Sequence, residues 1–245
     1  MRVGSLFVAW QHPSTREWAP VARLTRDHEG YRFVYTKGAD RESFVPFGRL
    51  TDLRREYVSE ELFPLFANRL LARSRPEYEA YLRWLGLSRA NYDVLDELAR
   101  TGRLRATDQL ELIPCPKPSQ AQRYEVFFFA RGLRHFTDSG RQRCMALNAE
   151  EPLFLARDVQ NAQDPDALLL RTGDPVSVVG YTPRYYSAEF TRLMRMVSPG
   201  QVEVRVKQIN VDAPIQYRLL CHLSAPWPSG FSPCTQDAYQ PMPHH

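Results

Sequence analysis

Lysine is scarce in this chain of 245 residues, and several other features are missing with it. Only three of the 32 basic residues are lysine (Lys37, Lys117 and Lys207), so arginine carries nearly all of the positive charge. Arginine suits planar recognition of phosphates and bases, although a compositional bias of the genome explains the same excess. The sequence has no run of about 18 apolar residues, so it predicts no membrane helix. The amino terminus, MRVGSLFVAWQHP, lacks the small-residue cleavage pattern of a secretion signal, and we expect a strand there and a cytoplasmic protein.

Cysteine pairs and catalytic motifs are missing as well. The four cysteines form no C-x-x-C pair and none has a histidine at metal-ligand spacing, so we expect free thiols and no metal site. No P-loop, dinucleotide-binding, zinc-protease, nucleophile-elbow or protein-kinase motif occurs. Asp164 and Asp166 stand before an apolar strand, where acids more often form turns than catalyse reactions. We therefore expect no enzyme activity and no cofactor.

The charge is nearly balanced in both halves of the chain. The net charge is +4, and residues 119–245 carry 13 basic and 12 acidic side chains. A protein held to DNA mainly by charge has a larger excess of basic residues. The composition therefore excludes a basic DNA-binding arm.

A proline-rich stretch divides the sequence. LIPCPKPSQAQRYE has three prolines within five residues, which is typical of a stiff, exposed connector. We predict a first domain over residues 1–114, a linker over 115–122, a second domain over 123–224 and a Pro/Ser-rich tail over 225–245.

The first domain reads as strands followed by helices, an α+β arrangement. VGSLFVAW, WAPVARLTR and GYRFVYTKG are rich in β-branched and aromatic residues and predict strands. SEELFPLFANRLLARS predicts a helix capped by Ser59, and SRPEYEAYLRWLGL a second one capped by Ser74. NYDVLDELARTG predicts a third, from Asn91 to Gly102.

The second domain reads as mostly β. Strands are predicted in RYEVFFFARGLRHF, EPLFLARD, DALLLRTG, PVSVVGYT, QVEVRVKQIN and IQYRLLCHL. One helix is predicted from Tyr185 to Ser198. A small, partly closed barrel with one or two helices fits this order.

Three short blocks in the second domain combine turn residues with polar side chains. They are GLRHF, then the turn that contains Asn161 and Asp164, then GYTPR before the predicted helix. Asn and Asp can bond base edges or sugar hydroxyls, and Arg184 at a helix start can reach a phosphate. Ordinary turn chemistry explains the same residues, and on their physics alone it is the better interpretation.

In order and spacing, these blocks resemble the HIRAN domain, over residues 123 to 223. HIRAN domains are small OB/SH3-like barrels fused to DNA-repair enzymes or found alone in bacteria, and the resemblance implies binding of single-stranded DNA at its 3′ end. Arg134 and His135 match positions that contact the terminal nucleotide, and Phe136 matches the second aromatic position of that block. Gln163 and Asp164 match an aromatic–Asp pair in which Asp accepts the 3′ hydroxyl, so Gln163 replaces a stacking ring. Tyr181 and Arg184 match backbone-contacting positions, and Asn161 belongs to the same DNA-binding set.

The first domain is similar to the N-terminal subdomain of HipA-type serine/threonine kinases. The similarity rests on the Gly-x-Leu and Phe-x-Tyr strands and on LFPLFAN (residues 62–68), after which RLLARSR departs from the family pattern. The kinase core does not follow. The resemblance implies binding to a partner protein through Phe63, Phe66 and Asn68.

Three hypotheses follow, of which the third, a nuclease or other enzyme, rests only on the acids around Asp164. The first is a non-enzymatic adaptor that binds DNA through the HIRAN-like domain and a partner through the HipA-like domain. The partner is a HipA-type kinase or a helix-turn-helix antitoxin. The second is an antitoxin-like protein that restrains such a kinase without binding DNA ends, which Gln163 and the balanced charge favour.

Overall fold

The computed structural model describes residues 4–102, 109–162 and 164–243. Within these residues the chain is mostly β and forms two compact units. We call them the N-unit (Arg2–Arg75, Tyr92–Lys117 and Ser232–His245) and the C-unit (Pro76–Asn91 and Pro118–Phe231). None of the helices in the described ranges is long and apolar enough to cross a membrane.

The N-unit contains one antiparallel sheet and two short helices. The strands lie in the order β4-β3-β2-β1-β5. Their bounds are β1 Ser5–Gln11, β2 Trp18–Asp27, β3 Gly30–Tyr35, β4 Tyr57–Ser59 and β5 Leu110–Cys115. The helices of the N-unit are α1 Pro64–Ala67 and α3 Val94–Thr101. Between them in the sequence lies α2 (Tyr78–Trp84), which belongs to the C-unit. The predicted alternation of side-chain direction is present in β3, where Tyr31, Phe33 and Tyr35 lie in the core.

The helix predicted from Ser59 is much shorter than expected. Ser59 ends strand β4, which pairs with β3, and α1 makes a single turn that begins only at Pro64. The ring of Pro64 disfavours helical backbone at the residue before it, and Phe63 is accordingly extended. A helix therefore cannot run through Phe63 from a cap at Ser59.

The other two helices also begin later in the sequence than predicted. The helix α2 begins after Glu77 rather than at Ser74. The helix α3 begins after Asp93, whose side chain accepts a hydrogen bond from the backbone N–H of Leu95. A side-chain acceptor in this position satisfies one of the free N–H groups of the first turn, which fixes the start of α3.

Two segments belong to a different unit from the one that their position in the sequence suggests. Residues 76–91 belong to the C-unit, although they precede the predicted linker. Residues 232–245 belong to the N-unit, where the backbone N–H of Met242 bonds to the carbonyl of Tyr35 and the side chain of Met242 enters the core. Between Lys117 and Pro118, within the predicted linker, the chain passes from the N-unit into the C-unit.

The C-unit is a curled six-stranded sheet around one core. The strand order is β6-β11-β10-β7-β8-β9. The bounds are β6 Arg123–Phe129, β7 Pro152–Arg157, β8 Leu168–Arg171, β9 Val178–Tyr181, β10 Glu203–Ile209 and β11 Leu219–Pro226. The helices are α4 Asp138–Met145 and α5 Arg184–Met196. The helix α5 buries Tyr186, Phe190 and Leu193 in the core.

The two edges of this sheet meet. Just beyond β6, Arg131 exchanges both backbone hydrogen bonds with Tyr181 of β9, at 2.8 and 2.9 Å. A side chain at residue 180 would place its Cβ 2.7 Å from Cβ of Ala130, so Gly180 is required at this close approach. The predicted partly closed barrel is thus present, and the seam between Arg131 and Tyr181 closes it.

Candidate functional site

The GLRHF block lies at this seam and forms a turn rather than the end of a strand. Gly132 has a left-handed backbone (φ 75°), and a Cβ there would lie 3.0 Å from the ring of Tyr181. The 3-10 helix Leu133–His135 follows, with Leu133 buried and Arg134 and His135 exposed. Arg134 Nε donates to His135 Nε2 at 2.9 Å. The two predicted contact residues therefore face solvent side by side.

Phe136 and Tyr181 form a stacked aromatic pair beside this turn. Their ring centroids are 5.5 Å apart and their planes differ by 26°. The carbonyl of Phe136 accepts a hydrogen bond from Arg141 Nη1 at 2.5 Å, and Thr137 caps α4 through the N–H of Gly140. The sequence did not predict α4, because its apolar residues show little helical spacing. The helix nevertheless anchors the turn that carries Phe136.

Asp158 connects the aromatic pair to the next turn. Its Oδ2 accepts hydrogen bonds from Tyr181 OH at 2.7 Å and from Asn161 Nδ2 at 3.3 Å. The bond from Tyr181 is the largest cause of the lowered pKa of Asp158, and bonds from Asn161 and the N–H of Gln160 add to it. The same bond raises the pKa of Tyr181, so Asp158 is ionised and Tyr181 is neutral together.

The turn after Asp158 ends at a carboxylate that faces a helix start. The N–H of Asp164 bonds to Asn161 Oδ1 at 3.0 Å, and Asp164 Oδ1 accepts from the N–H of Asp166 at 3.1 Å. Asp164 Oδ2 lies 4.0 Å from Arg184 Nε, at the first residue of α5. The side chain of Asp164 is 17% exposed and that of Arg184 is 55% exposed. A carboxylate is favourable beside a helix amino terminus, which stabilises this arrangement.

Most of the predicted DNA-binding residues thus lie in one continuous chain of contacts. We call it the contact chain, formed by Phe136, Tyr181, Asp158, Asn161, Asp164 and Arg184. Arg134 and His135 adjoin it through the turn, whereas Gln163 lies outside the described residues. Sequence reasoning missed Asp158, although an aspartate between a strand end and an asparagine is a turn signal.

The contact chain has the chemistry of a binding site. It offers the exposed guanidinium of Arg184, a partly exposed aromatic pair and half-buried carboxylates that can accept a hydroxyl hydrogen bond. Across residues 4–102, 109–162 and 164–243, no group of three or more His, Cys, Asp or Glu side chains is arranged to hold a metal ion.

The residues predicted to bind a partner protein lie in the N-unit. Phe66 is fully buried and Phe63 is 8% exposed, and both pack against Phe33 with centroids 6.2 and 5.9 Å away. Asn68, which ends α1, is exposed. The two phenylalanines therefore pack the core, and of the three only Asn68 presents its side chain to solvent.

Replacing Tyr181 with phenylalanine is expected to lower the free energy of unfolding by about 1 kcal/mol, because the hydrogen bond to Asp158 is lost while the stacked ring remains. Denaturant unfolding measures this. In a double-mutant cycle, the same substitution in an Asp158→Ala background is expected to cost almost nothing more. Equal costs in both backgrounds would show that the pair does not act together.

Comparison with known proteins gives a family match within the C-unit. Residues 124–227 match the family model of the HIRAN domain, as the sequence resemblance predicts. The structure is similar to the HIRAN domain of human HLTF (17% identity, 43% of this chain and 80% of that chain, TM-score 0.32). It is also similar to a protein from Lactobacillus plantarum (19% identity, 42% and 95%, TM-score 0.31). No curated protein matches the chain. The resemblance of the first half to HipA-type kinases stays a prediction.

Proposed function

We propose that this protein is a non-enzymatic DNA-binding adaptor whose HIRAN domain takes the 3′ end of a single strand at the contact chain. The observation that carries the proposal is the position of Asp164. Its carboxylate accepts a hydrogen bond from the backbone N–H of Asp166, is mostly shielded from solvent and lies beside the exposed guanidinium of Arg184. A carboxylate acceptor next to an exposed cation suits a sugar hydroxyl next to a phosphate.

Few phosphates are needed for this mode of binding. Arg134 and Arg184 are the exposed cations of the site, and the rest of the C-terminal half has nearly balanced charge. If the two arginines neutralise two phosphates of a single strand, log K should fall with log salt at a slope of about −1.4. The affinity would then depend on recognition of the 3′ end rather than on general attraction between charges.

A terminal phosphate is expected to be rejected. It would bring a second negative charge next to Asp164, with Asp158 also ionised two hydrogen bonds away along the contact chain. Like charges at close distance inside a partly shielded site repel strongly. The hydroxyl form of the 3′ end therefore fits the carboxylate, and the phosphorylated form does not.

Fluorescence anisotropy with short labelled strands tests the proposal. We expect a 3′-hydroxyl strand to bind more tightly than its 3′-phosphate counterpart, and Arg134→Ala and Asp164→Ala each to weaken binding by about tenfold. Asp164→Asn is the matched variant, because it keeps an acceptor oxygen and removes the charge that repels the phosphate. Equal affinity for both ends would remove the end-binding proposal, and unchanged affinity in both alanine variants would remove the site.

The adaptor role adds a protein partner for the N-unit, such as a HipA-type kinase or a helix-turn-helix antitoxin. Its support is the sequence resemblance of residues 1–114, and the exposed side chain of Asn68 is the place to test it. An antitoxin-like protein that restrains a HipA-type kinase without binding DNA ends is the alternative, which the balanced charge favours. A stable complex with such a kinase, together with no DNA binding at low salt, would select the alternative.

A further inference from the structure

The outer face of strands β7, β8 and β9 continues from the contact chain across the sheet. Residues directly opposite each other on neighbouring strands share a face, and Tyr181 lies opposite Leu169, which lies opposite Ala156. The next row of the same face pairs Phe154 of β7 with Arg171 of β8. The ring of Tyr181 and the ring of Phe154 therefore belong to one surface.

Phe154 and Arg171 form a cation–π pair on that surface. Arg171 Cζ lies 4.9 Å from the centroid of the Phe154 ring, and 43% of Phe154 is exposed. Phe154 is the aromatic member of the exposed large hydrophobic residues in the described ranges, whereas the neighbouring Leu153 and Leu170 point into the core. An aromatic ring covered by a guanidinium group offers both a stacking plane and a charge.

The positive charge of Arg171 is not neutralised by an ion pair with any described carboxylate. Its Nη1 donates to the carbonyl of Thr172 at 3.2 Å, which orients the group and leaves its other N–H donors for a ligand. The cross-strand neighbours in the two rows, Ala156, Leu169 and Val178, carry no charge. The strand positions next to the pair therefore add no negative charge that would oppose an anion.

The loop beyond Arg171 is held in a fixed conformation. Thr172 is fully buried, its Oγ1 donates to the carbonyl of Pro175 at 2.6 Å, and it accepts from the N–H of Ser177 at 2.9 Å. Gly173 follows directly and would place a Cβ in van der Waals contact with the edge of the Phe154 ring, 3.5 Å away. The pair thus sits beside an ordered turn, so that little conformational entropy is lost when a ligand binds.

The distance between the two aromatic sites suits a short nucleic-acid strand. Two strand spacings across the sheet and two residues along β7 separate Tyr181 from Phe154 by about 12 Å. Stacked nucleotides rise by about 3.4 Å each along one strand, so about three or four nucleotides cover this distance. A strand that starts at the contact chain can therefore reach the pair.

We propose that Phe154 and Arg171 form a second nucleotide-binding site, at which a base several nucleotides from the 3′ end stacks while Arg171 meets the adjacent phosphate. The proposal rests on single-strand DNA binding at the contact chain. Stacking on aromatic rings and guanidinium planes tolerates any base. The site therefore sets the length of strand that the protein prefers and leaves its sequence open.

Anisotropy with strands of two lengths tests this site in the intact 245-residue chain. A strand of about two nucleotides reaches only the contact chain, whereas one of about eight nucleotides reaches both sites. We expect Phe154→Ala and Arg171→Ala each to weaken binding of the longer strand by about tenfold and to leave the shorter strand unaffected. Phe154→Trp keeps a stacking ring, and we expect the longer strand alone to quench its added fluorescence.

The controls separate stacking from charge and from loss of fold. Phe154→Leu keeps the apolar surface without the ring, and we expect it to behave like Phe154→Ala. Arg195→Ala removes one exposed charge at the far end of α5, about 16 Å along the helix from Arg184, and we expect no effect on either strand. Thermal unfolding of each variant should match that of the wild-type protein.

Two results would overturn the proposal in different ways. If the wild-type protein binds both strands and the variants at Phe154 and Arg171 weaken neither, or weaken both equally, the second site is absent and the contact chain stands. If the wild-type protein binds neither strand at low salt, DNA binding itself fails, and the second site fails with it.

Discussion

Leu82→Ala is expected to lower the free energy of unfolding of the C-unit by about 2–5 kcal/mol, although Leu82 lies in the first half of the chain. Leu82 is 1% exposed and belongs to α2, which packs with the C-unit. Removing a buried leucine side chain loses its transfer free energy and leaves a cavity. The effect should therefore appear in the HIRAN domain rather than in the N-unit that surrounds α2 in the sequence.

Side chains of β10 and of the turn that follows it hold α2 in place. Asn210 is 3% exposed, and its Nδ2 donates to the carbonyls of Trp84 at 2.9 Å and of Tyr217 at 2.7 Å. Gln208 Nε2 donates to the carbonyl of Arg83 at 2.9 Å. The last carbonyls of a helix lack partners within the helix, so these amides cap α2. The helix is therefore bound to the C-unit through both its apolar face and its carboxyl end.

Hydrogen exchange read by mass spectrometry measures the effect with spatial resolution. In Leu82→Ala we expect protection to fall most in β10 and β11, whereas in Phe66→Ala, which removes a fully buried ring of the N-unit, it should fall most in β1 to β3. Arg83→Ala is the matched control within α2. It removes only an exposed ion pair with Asp212 and should cost less than 1 kcal/mol. Loss of protection confined to β1 to β3 in Leu82→Ala would contradict the assignment of α2.

The C-unit is expected to lose about 3 kcal/mol of stability between pH 4.5 and pH 7. Burial raises the pKa of Glu189 from 4.5 to about 7, against the opposing effects of the Tyr124 hydrogen bond and the nearby Arg192. Tyr124 is fully buried, and its hydroxyl donates to Glu189 Oε1 beneath α5. Although Glu189 as a whole keeps some exposed surface, its carboxyl group is enclosed. Solvent therefore screens that group little.

The direction of this change in stability follows from whether the folded or the unfolded state binds the proton of Glu189 more tightly. Between pH 4.5 and pH 7 the folded protein keeps the proton on Glu189 and the unfolded chain releases it. The stabilisation that protonated Glu189 contributes is therefore complete below pH 4.5, decreases as the pH rises and is lost above pH 7. Each unit of difference in pKa corresponds to about 1.4 kcal/mol, which gives the expected size.

Glu189→Gln removes this dependence while keeping an acceptor for the hydroxyl of Tyr124. Denaturant unfolding at a series of pH values should show that the variant is more stable than the wild-type protein above pH 7, and that its advantage disappears towards pH 4.5. Glu203→Gln, at an exposed position of β10, is the control for removing a surface carboxylate from the same unit. Parallel profiles for wild-type protein and Glu189→Gln would show that Glu189 carries its ordinary pKa in the fold.

Local patterns in the sequence predicted most of the strands, because alternation and turn residues act over a few positions. The strands of RYEVFFF, EPLFLAR and DALLLR, and the helix before Ser198, appear where the sequence indicates them. The three HIRAN blocks also identified the domain, since their order and spacing survive in the chain itself. Helix lengths were less predictable: Pro64 limits α1 to one turn, and α4 has almost no apolar periodicity.

The candidate site depended on contacts that no local pattern contains. Asp158 connects the parts of the site only because β9 brings Tyr181 next to the end of β7. Phe154 and Arg171 become one surface feature only through the pairing of β7 with β8. Cross-strand register decides which side chains meet, and it is set by the whole sheet.

The sequence by itself therefore determined the strands, the HIRAN domain and the residues of the three blocks. The tertiary structure decided that residues 76–91 complete the C-unit, that the carboxyl-terminal segment joins the N-unit, and that the seam at Arg131 and Tyr181 assembles the contact chain. The physical reason is the separation along the chain. The bond from Asn210 to Trp84 spans 126 positions, and such contacts depend on which buried surfaces fit together.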